Sequence, residues 1–164
     1  MPQDASCAAA MVRPELNEDF IDVLAAFAEH GVEFVVVGAH ALAAHGIVRA
    51  TGDIDLFVRS SPENARRVFE ALVAFGAPIA AHSISVADFE LPDNVYQIGL
   101  PPRRIDVLTS ISGVTFDEAW ASRVAVQIGG VDVHVLGREA MIRNKRSAAR
   151  PKDLLDAESL ERAR

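Results

Sequence analysis

Two aspartates, Asp53 and Asp55, stand one residue apart in the run Asp53-Ile54-Asp55-Leu56-Phe57-Val58. The run predicts a strand, and strand side chains alternate faces with a period of two. Both carboxylates therefore project to one side while Ile54 and Leu56 turn into the core. Ionised together at that spacing they repel each other, and a cation between them relieves the repulsion. Hard oxygen donors favour Mg²⁺ or Mn²⁺ over zinc. A third acid, Asp106, lies in a further apolar run, Arg104 to Leu108, flanked by Ile105 and Val107. Taken singly, the pair reads more readily as a solvated strand edge, and Asp106 as an outward-facing polar residue.

The position of a glycine adds to this. Gly38 ends the apolar run Phe34 to Val37 and precedes the three acids by 15, 17 and 68 positions. Glycine lets the backbone turn sharply and approach a ligand closely. Ala39 to His45 then reads as a short helix whose first N–H groups are unpaired, a natural seat for phosphate. Arg49 and Thr51 precede the acids, and Arg49 has two readings: a partner for Asp53 or Asp55, or a contact to phosphate. Lys145 either pairs with Asp153 or Asp156 or supplies a cation over phosphates. His40 and His45 are five apart, which does not form a helical metal pair, and His45 reads as a helix end. Tyr96 and Trp120 read as core aromatics rather than base-stacking ones.

The elements that must hold these residues follow from local pattern. Leu16, Phe20, Val23, Leu24 and Phe27 recur at helical spacing, giving a helix over roughly 15–30 that Gly31 stops. Glu33 to Val37 and Asp53 to Val58 read as buried strands. Ser61-Pro62 opens a helix with the stripe Val68, Phe69, Leu72 and Val73, and Gly76 ends it. Residues 78–92 carry no clean period, and a short strand is expected around His82 to Val86. Val95 to Leu100 and Arg104 to Leu108 read as strands and Phe116 to Trp120 as a helical turn. Val124 to Ile128 and Val131 to Leu136 form a hairpin about Gly129-Gly130, and helices over 137–146 and 151–162 close the chain. The order predicts an α+β fold, a mixed sheet flanked by helices with a short C-terminal helical tail.

Composition bounds the rest. The 164 residues are 50% apolar and 24% charged, enough for one domain with a real core. Residues 1–13 read as a disordered leader and 14–164 as a single domain. No apolar run approaches the roughly 20 residues of a membrane span. Cys7, the single cysteine, has no internal partner, and with a leader unlike a secretory signal it suggests a cytoplasmic protein. A net charge of −7 argues against a broad nucleic-acid-binding face. The positive charge is local: residues 138–152 carry +5 and the rest of the chain −12.

Gly38-Ala39, the Asp53-Ile54-Asp55 pair and Asp106 in Arg-Ile-Asp-Val-Leu resemble the nucleotidyltransferase superfamily of the DNA polymerase β type. The embedding HALAAHGIVRATGDIDLFV is similar to minimal nucleotidyltransferases related to AbiEii toxins of bacterial toxin–antitoxin systems. The tail from Lys145 through Arg150-Pro151-Lys152-Asp153 to Asp156 is similar to that group's C-terminal signature. One position departs: Ala39 stands where the family has a second glycine or a serine, keeping the backbone N–H and losing a hydroxyl.

The resemblance implies in-line attack of a hydroxyl on the α-phosphate of a nucleoside triphosphate. Asp53, Asp55 and Asp106 would hold two Mg²⁺ or Mn²⁺ ions about 3.5–4 Å apart. Gly38 and Ala39 would cradle the outer phosphates, with Arg49, Thr51 and Lys145 lining the nucleotide. The acceptor it implies is a tRNA end, a protein or a small molecule, and the oligomeric state stays open. Two other readings stand beside it. One is a catalytically inactive binding or antitoxin-like module on the same fold. The other is an antibiotic nucleotidyltransferase with an acidic pocket built from Asp88, Glu90 and Asp93.

Overall fold

The computed structural model describes residues 16–163, so the expected leader over 1–13 and Cys7 lie outside the described residues. Helix α1 (Glu18–Glu29) starts later than its apolar spacing suggests because the Asn17 side chain accepts from the Phe20 N–H and caps it. Strand β1 (Phe34–Val37) follows, buried at every residue and so covered on both faces. It runs into the short helix α2 (Gly38–Ala44) and then into β2 (Asp53–Val58). Helix α3 (Pro62–Phe75) has the expected ends, Ser61 capping the Asn64 N–H and Gly76 in the left-handed conformation.

The strand expected around His82 to Val86 is absent. The His82 N–H closes a turn onto the Pro78 carbonyl, and residues Val86–Phe89 form a 3₁₀ turn capped reciprocally by Ser85 and Asp88. A serine followed three residues later by an acid is a helical cap, and here it overrides the short apolar alternation. The remaining elements are β3 (Val95–Ile98), β4 (Arg104–Leu108), α4 (Phe116–Ala121), β5 (Val124–Ile128), β6 (Val131–Val135), α5 (Arg138–Ala148) and α6 (Pro151–Arg162).

The strands form one mixed sheet of six in the order β3-β4-β2-β1-β6-β5, which makes the fold α+β. The site depends on the central ladders. β1 pairs antiparallel with β2, setting Val37 beside Asp55, while β2 pairs parallel with β4. Helices α1 and α3 pack together, as do α5 and α6. Phe27, Phe57, Leu24, Leu72 and Met141 are among the largest fully buried side chains of the core. Burying an aliphatic or aromatic side chain of this size contributes about 1.5–3 kcal/mol, so the core holds the central strands on which the acids sit. Asn64, buried at the start of α3, bonds the Glu33 N–H at 2.7 Å and the Glu33 and Arg59 carbonyls, tying the ends of β1 and β2 together. No helix among the described residues is long and apolar enough to cross a membrane.

Candidate active site

The parallel register of β2 and β4 pairs Asp53 with Arg104 and Asp55 with Asp106. Because each strand repeats its faces every second residue, these four side chains share one face as a two-by-two block of three acids and one arginine. Carboxylate oxygens of Asp53, Asp55 and Asp106 all lie within 4.8 Å of one another. The block opens onto a cleft of about 550 Å³ that Gly38 and Ala39 line from one side and the α5–α6 region from the other.

Gly38 belongs to the block in a steric sense. Its φ is +71°, and a Cβ built on it would collide with the Asp55 carboxylate. The start of α2 can lie against Asp55 only because this residue has no side chain. No side chain caps α2, whose first residues, Gly38 and Ala39, face the cleft. Thr51 orients Asp53: its hydroxyl bonds the Asp53 carboxylate at 3.0 Å and the Asp53 carbonyl at 3.1 Å.

Crowding of like charge shows in the acids' protonation. Burial, followed by the charges of Asp53 and Asp106, raises the Asp55 pKa to about 7, and a hydrogen bond to Asp106 adds to the rise. Burial also raises Asp106, against the opposing pull of Arg104. Such a donor set crowds like charge that a cation relieves, and its oxygens are hard. The residues present therefore fit a divalent ion of the Mg²⁺ or Mn²⁺ kind.

Arg104 had no assigned role in the sequence reading, and it is the cation the block contains. Its Nη2 donates to the Asp53 carboxylate at 2.6 Å, and its Nε lies 3.1 Å from the Asp106 carboxylate. Those charges, Asp106 first, raise the Arg104 pKa. An arginine two positions before an acid on the same strand face was the available signal.

The opposite wall answers one of the two readings of Arg49. Its guanidinium pairs with the Asp156 carboxylate instead of Asp53 or Asp55, because α6 brings Asp156 across the cleft. Lys145 Nζ lies 3.5 Å from Asp153 and 3.2 Å from Asp156, the structural ion pair of its two readings. Asp153 and Asp156 are almost fully buried. For Asp153, the hydrogen bonds and charges of Arg150 and Lys145 outweigh its burial and hold its pKa below the usual carboxylate value. Arg49, Lys145, Arg150 and Lys152 nonetheless all line the cleft beside Asp153 and Asp156, so bases outnumber acids on this wall.

Other expectations fall outside the cleft. Asp88 is spent on the cap of Ser85, and neither Glu90 nor Asp93 lines the cleft, so the acidic pocket expected from these three does not form there. His45 bonds the Leu136 carbonyl at 2.8 Å from the end of α2, and burial lowers the pKa of His40. Tyr96 is buried and bonds His82, while Trp120 stacks on Phe116 beneath Arg123.

A glycine turn into a short helix, an Asp-x-Asp strand beside it and a parallel neighbour with a third acid are the arrangement of the nucleotidyltransferase class. The chain belongs to the family described as nucleotidyl transferase of unknown function (DUF2204), whose profile matches residues 16–163. No curated protein matches the chain at a significant level.

Proposed function

We propose that this chain is a divalent-metal-dependent nucleotidyltransferase that moves a nucleoside monophosphate from a triphosphate onto a hydroxyl acceptor. Residues 14–164 act as one domain in the cytoplasm. The observation that carries the proposal is the convergence of Asp53, Asp55 and Asp106 within 4.8 Å, facing Gly38 and a wall of arginine and lysine across one cleft. A triphosphate is anionic and needs positive charge around it. Ions held by the acids on β2 and β4 would supply part of that charge, and the bases of the far wall, which outnumber its acids, supply the rest.

Asp53 and Asp55 would hold ions shared with the triphosphate, and Asp106 would hold the one beside the acceptor. When bound, such ions neutralise charge on the phosphates and lower the pKa of the acceptor hydroxyl. The Gly38 and Ala39 backbone lies against the outer phosphates, and Arg49 and Lys152 orient them from the far wall. Thr51 keeps the Asp53 carboxylate in place through its hydroxyl. Asp106 receives the acceptor's proton at its carboxylate as the hydroxyl oxygen attacks the α-phosphorus and the bond to the β-phosphate oxygen breaks. Catalysis of this kind rests on positioning and charge. The resemblance to AbiEii-related enzymes supports a tRNA end or a protein as acceptor and a toxin–antitoxin setting.

The second reading, a nucleotidyltransferase fold kept as a binding module, draws on two observations: Ala39 in place of a second glycine or serine, and Arg104 bridging Asp53 and Asp106. Calorimetric titration of Mg²⁺ with a nonhydrolysable ATP analogue tests the common site. Wild type binds and the Asp53→Ala, Asp55→Ala double variant does not; equal weak binding in both rejects it. Radiolabelled triphosphates incubated with the protein and total RNA or lysate separate enzyme from module, because a module transfers no label.

A further inference from the structure

The two-by-two block has one member whose charge is opposite to the others, and its placement is constrained by register. Arg104 is the β4 residue paired with Asp53, and it shares a face with Asp106 two positions along. Its guanidinium reaches both acids, Nη2 at 2.6 Å from Asp53 Oδ2 and 3.3 Å from Asp106 Oδ2, with Nε 3.1 Å from Asp106 Oδ1. These are the same carboxylates whose oxygens converge within 4.8 Å. An arginine and a divalent ion therefore ask for the same lone pairs. The buried Nε and Asp106 Oδ1 make no well-directed hydrogen bond in spite of their proximity. Their attraction is that of charge, held in geometry poorer than a forked guanidinium–carboxylate pair.

Arg104 also has somewhere to go. Its side chain is 29% exposed and lines the 550 Å³ cleft, so the guanidinium borders open space on one side. By contrast, Lys145 is 10% exposed and locked between two buried acids. Of these two cleft cations only Arg104 is both bonded to the acid cluster and free to leave it.

We propose that Arg104 is a displaceable counter-cation: it neutralises Asp53 and Asp106 in the ion-free protein and gives up their oxygens when a divalent ion enters. This rests on the metal-site reading of the three carboxylates. Arg104 is thus a positioning residue that sets the threshold of metal binding. It keeps the acids converged while no ion is present, at the cost of competing with the ion that replaces it.

The test is Mn²⁺ binding without nucleotide, followed by electron paramagnetic resonance at pH 8.5. Wild type, Arg104→Gln, Arg104→Lys and Asp53→Asn are compared, with thermal melting as the check of folding. Arg104→Gln binds Mn²⁺ about tenfold more tightly than wild type, as expected when a half-exposed charge-assisted pair no longer competes. Arg104→Lys, which keeps the charge and loses the fork, lies between. In wild type, the Arg104 Nε–H resonance shifts and broadens on saturation with diamagnetic Mg²⁺, a readout that needs no variant. Equal or weaker Mn²⁺ binding by Arg104→Gln, or an Nε–H resonance indifferent to Mg²⁺, overturns the role of Arg104 while Asp53→Asn still abolishes binding. Mn²⁺ binding that survives Asp53→Asn overturns the metal site and this inference together.

Discussion

The Asp55 carboxylate occupies the space that a Cβ on Gly38 would need, and Gly38 sits at φ +71°, where L side chains are strained. One glycine therefore satisfies two requirements, a backbone turn and a direct approach to an acid. Gly38→Ala is expected to cost about 1–3 kcal/mol from strain and displacement combined. It also pushes Asp55 off the carboxylate cluster. Thermal melting and Mn²⁺ titration check it: both the melting temperature and Mn²⁺ affinity fall, whereas Ala39→Gly leaves the melting temperature nearly unchanged. A Gly38→Ala protein with wild-type Mn²⁺ affinity removes the steric argument.

Asp55 makes the ion-free protein sensitive to pH. Its folded pKa is about 7, above the ordinary carboxylate value of about 4 that the unfolded chain shows. Between those values the folded chain keeps a proton that the unfolded chain has released. The associated stability is complete below about pH 4 and is lost as pH rises through 7. Asp55→Asn, which cannot ionise, is expected to be more stable than wild type at pH 8 by on the order of 2 kcal/mol. At pH 4 the two converge. Mg²⁺ reverses the sign for wild type, since ion binding releases the proton and weakens as pH falls below 7. Melting curves across pH 4–8 with and without Mg²⁺ decide this; parallel curves for both proteins contradict it.

The sheet strands, the helix caps at Ser61 and Gly76 and the shared face of Asp53 and Asp55 were legible because they depend on spacing within one element. The convergence of Asp106 with them came from the family resemblance and not from local pattern, because it depends on which strands pair and in what register. Asp55 and Asp106 meet through a parallel pairing that no local pattern encodes. For the same reason local pattern offered Arg49 only a neighbouring acid or a phosphate, whereas its partner here, Asp156, arrives on the last helix. Arg104 was half legible: the Arg-x-Asp spacing sets it on the face of Asp106, but only the register brings it to Asp53. At Ser85 the signal was present in the sequence, a serine three residues before Asp88, and a weaker strand pattern was read over it.

Lys145 bridges two almost fully buried acids, with Nζ 3.5 Å from Asp153 and 3.2 Å from Asp156. Removing one partner of a buried ion pair leaves uncompensated charge and costs about 3–5 kcal/mol. Arg150 still pairs with Asp153 and Arg49 with Asp156, so the lower end of that range applies to Lys145→Ala. Denaturant unfolding of this variant is expected to show a loss of about 3 kcal/mol, with Asp156→Asn restoring part of it in the double variant. Full stability of Lys145→Ala, with nucleotide binding lost, assigns the lysine to the ligand instead of the fold.

Thr51 makes a smaller contribution with a sharper signature. Its hydroxyl bonds the Asp53 carboxylate at 3.0 Å and so sets which way that oxygen points. Groups that orient a ligand typically change metal affinity by about 10–100-fold when removed. Thr51→Val keeps the shape and loses the hydroxyl, so Mn²⁺ affinity drops about tenfold at unchanged melting temperature. Thr51→Ser restores it. Failure of serine to rescue shows that packing of the methyl group, and not the hydrogen bond, is what matters.

Asp106 differs from the other two acids in what its loss is expected to do. Asp53 and Asp55 lie on β2, whose Asp55 abuts Gly38, whereas Asp106 lies on the neighbouring strand β4. If its carboxylate receives the acceptor's proton, Asp106→Asn lowers transfer by about 10²–10⁴-fold. Binding of the Mg²⁺-loaded ATP analogue, which draws on Asp53, Asp55 and Gly38, falls much less. Asp53→Asn removes binding and transfer together, as loss of a group shared by ions and triphosphate requires. Comparison of label transfer with calorimetric affinity for the two variants is therefore diagnostic. Equal loss of binding in both assigns Asp106 to nucleotide binding and leaves the acceptor's proton without a recipient among the three acids.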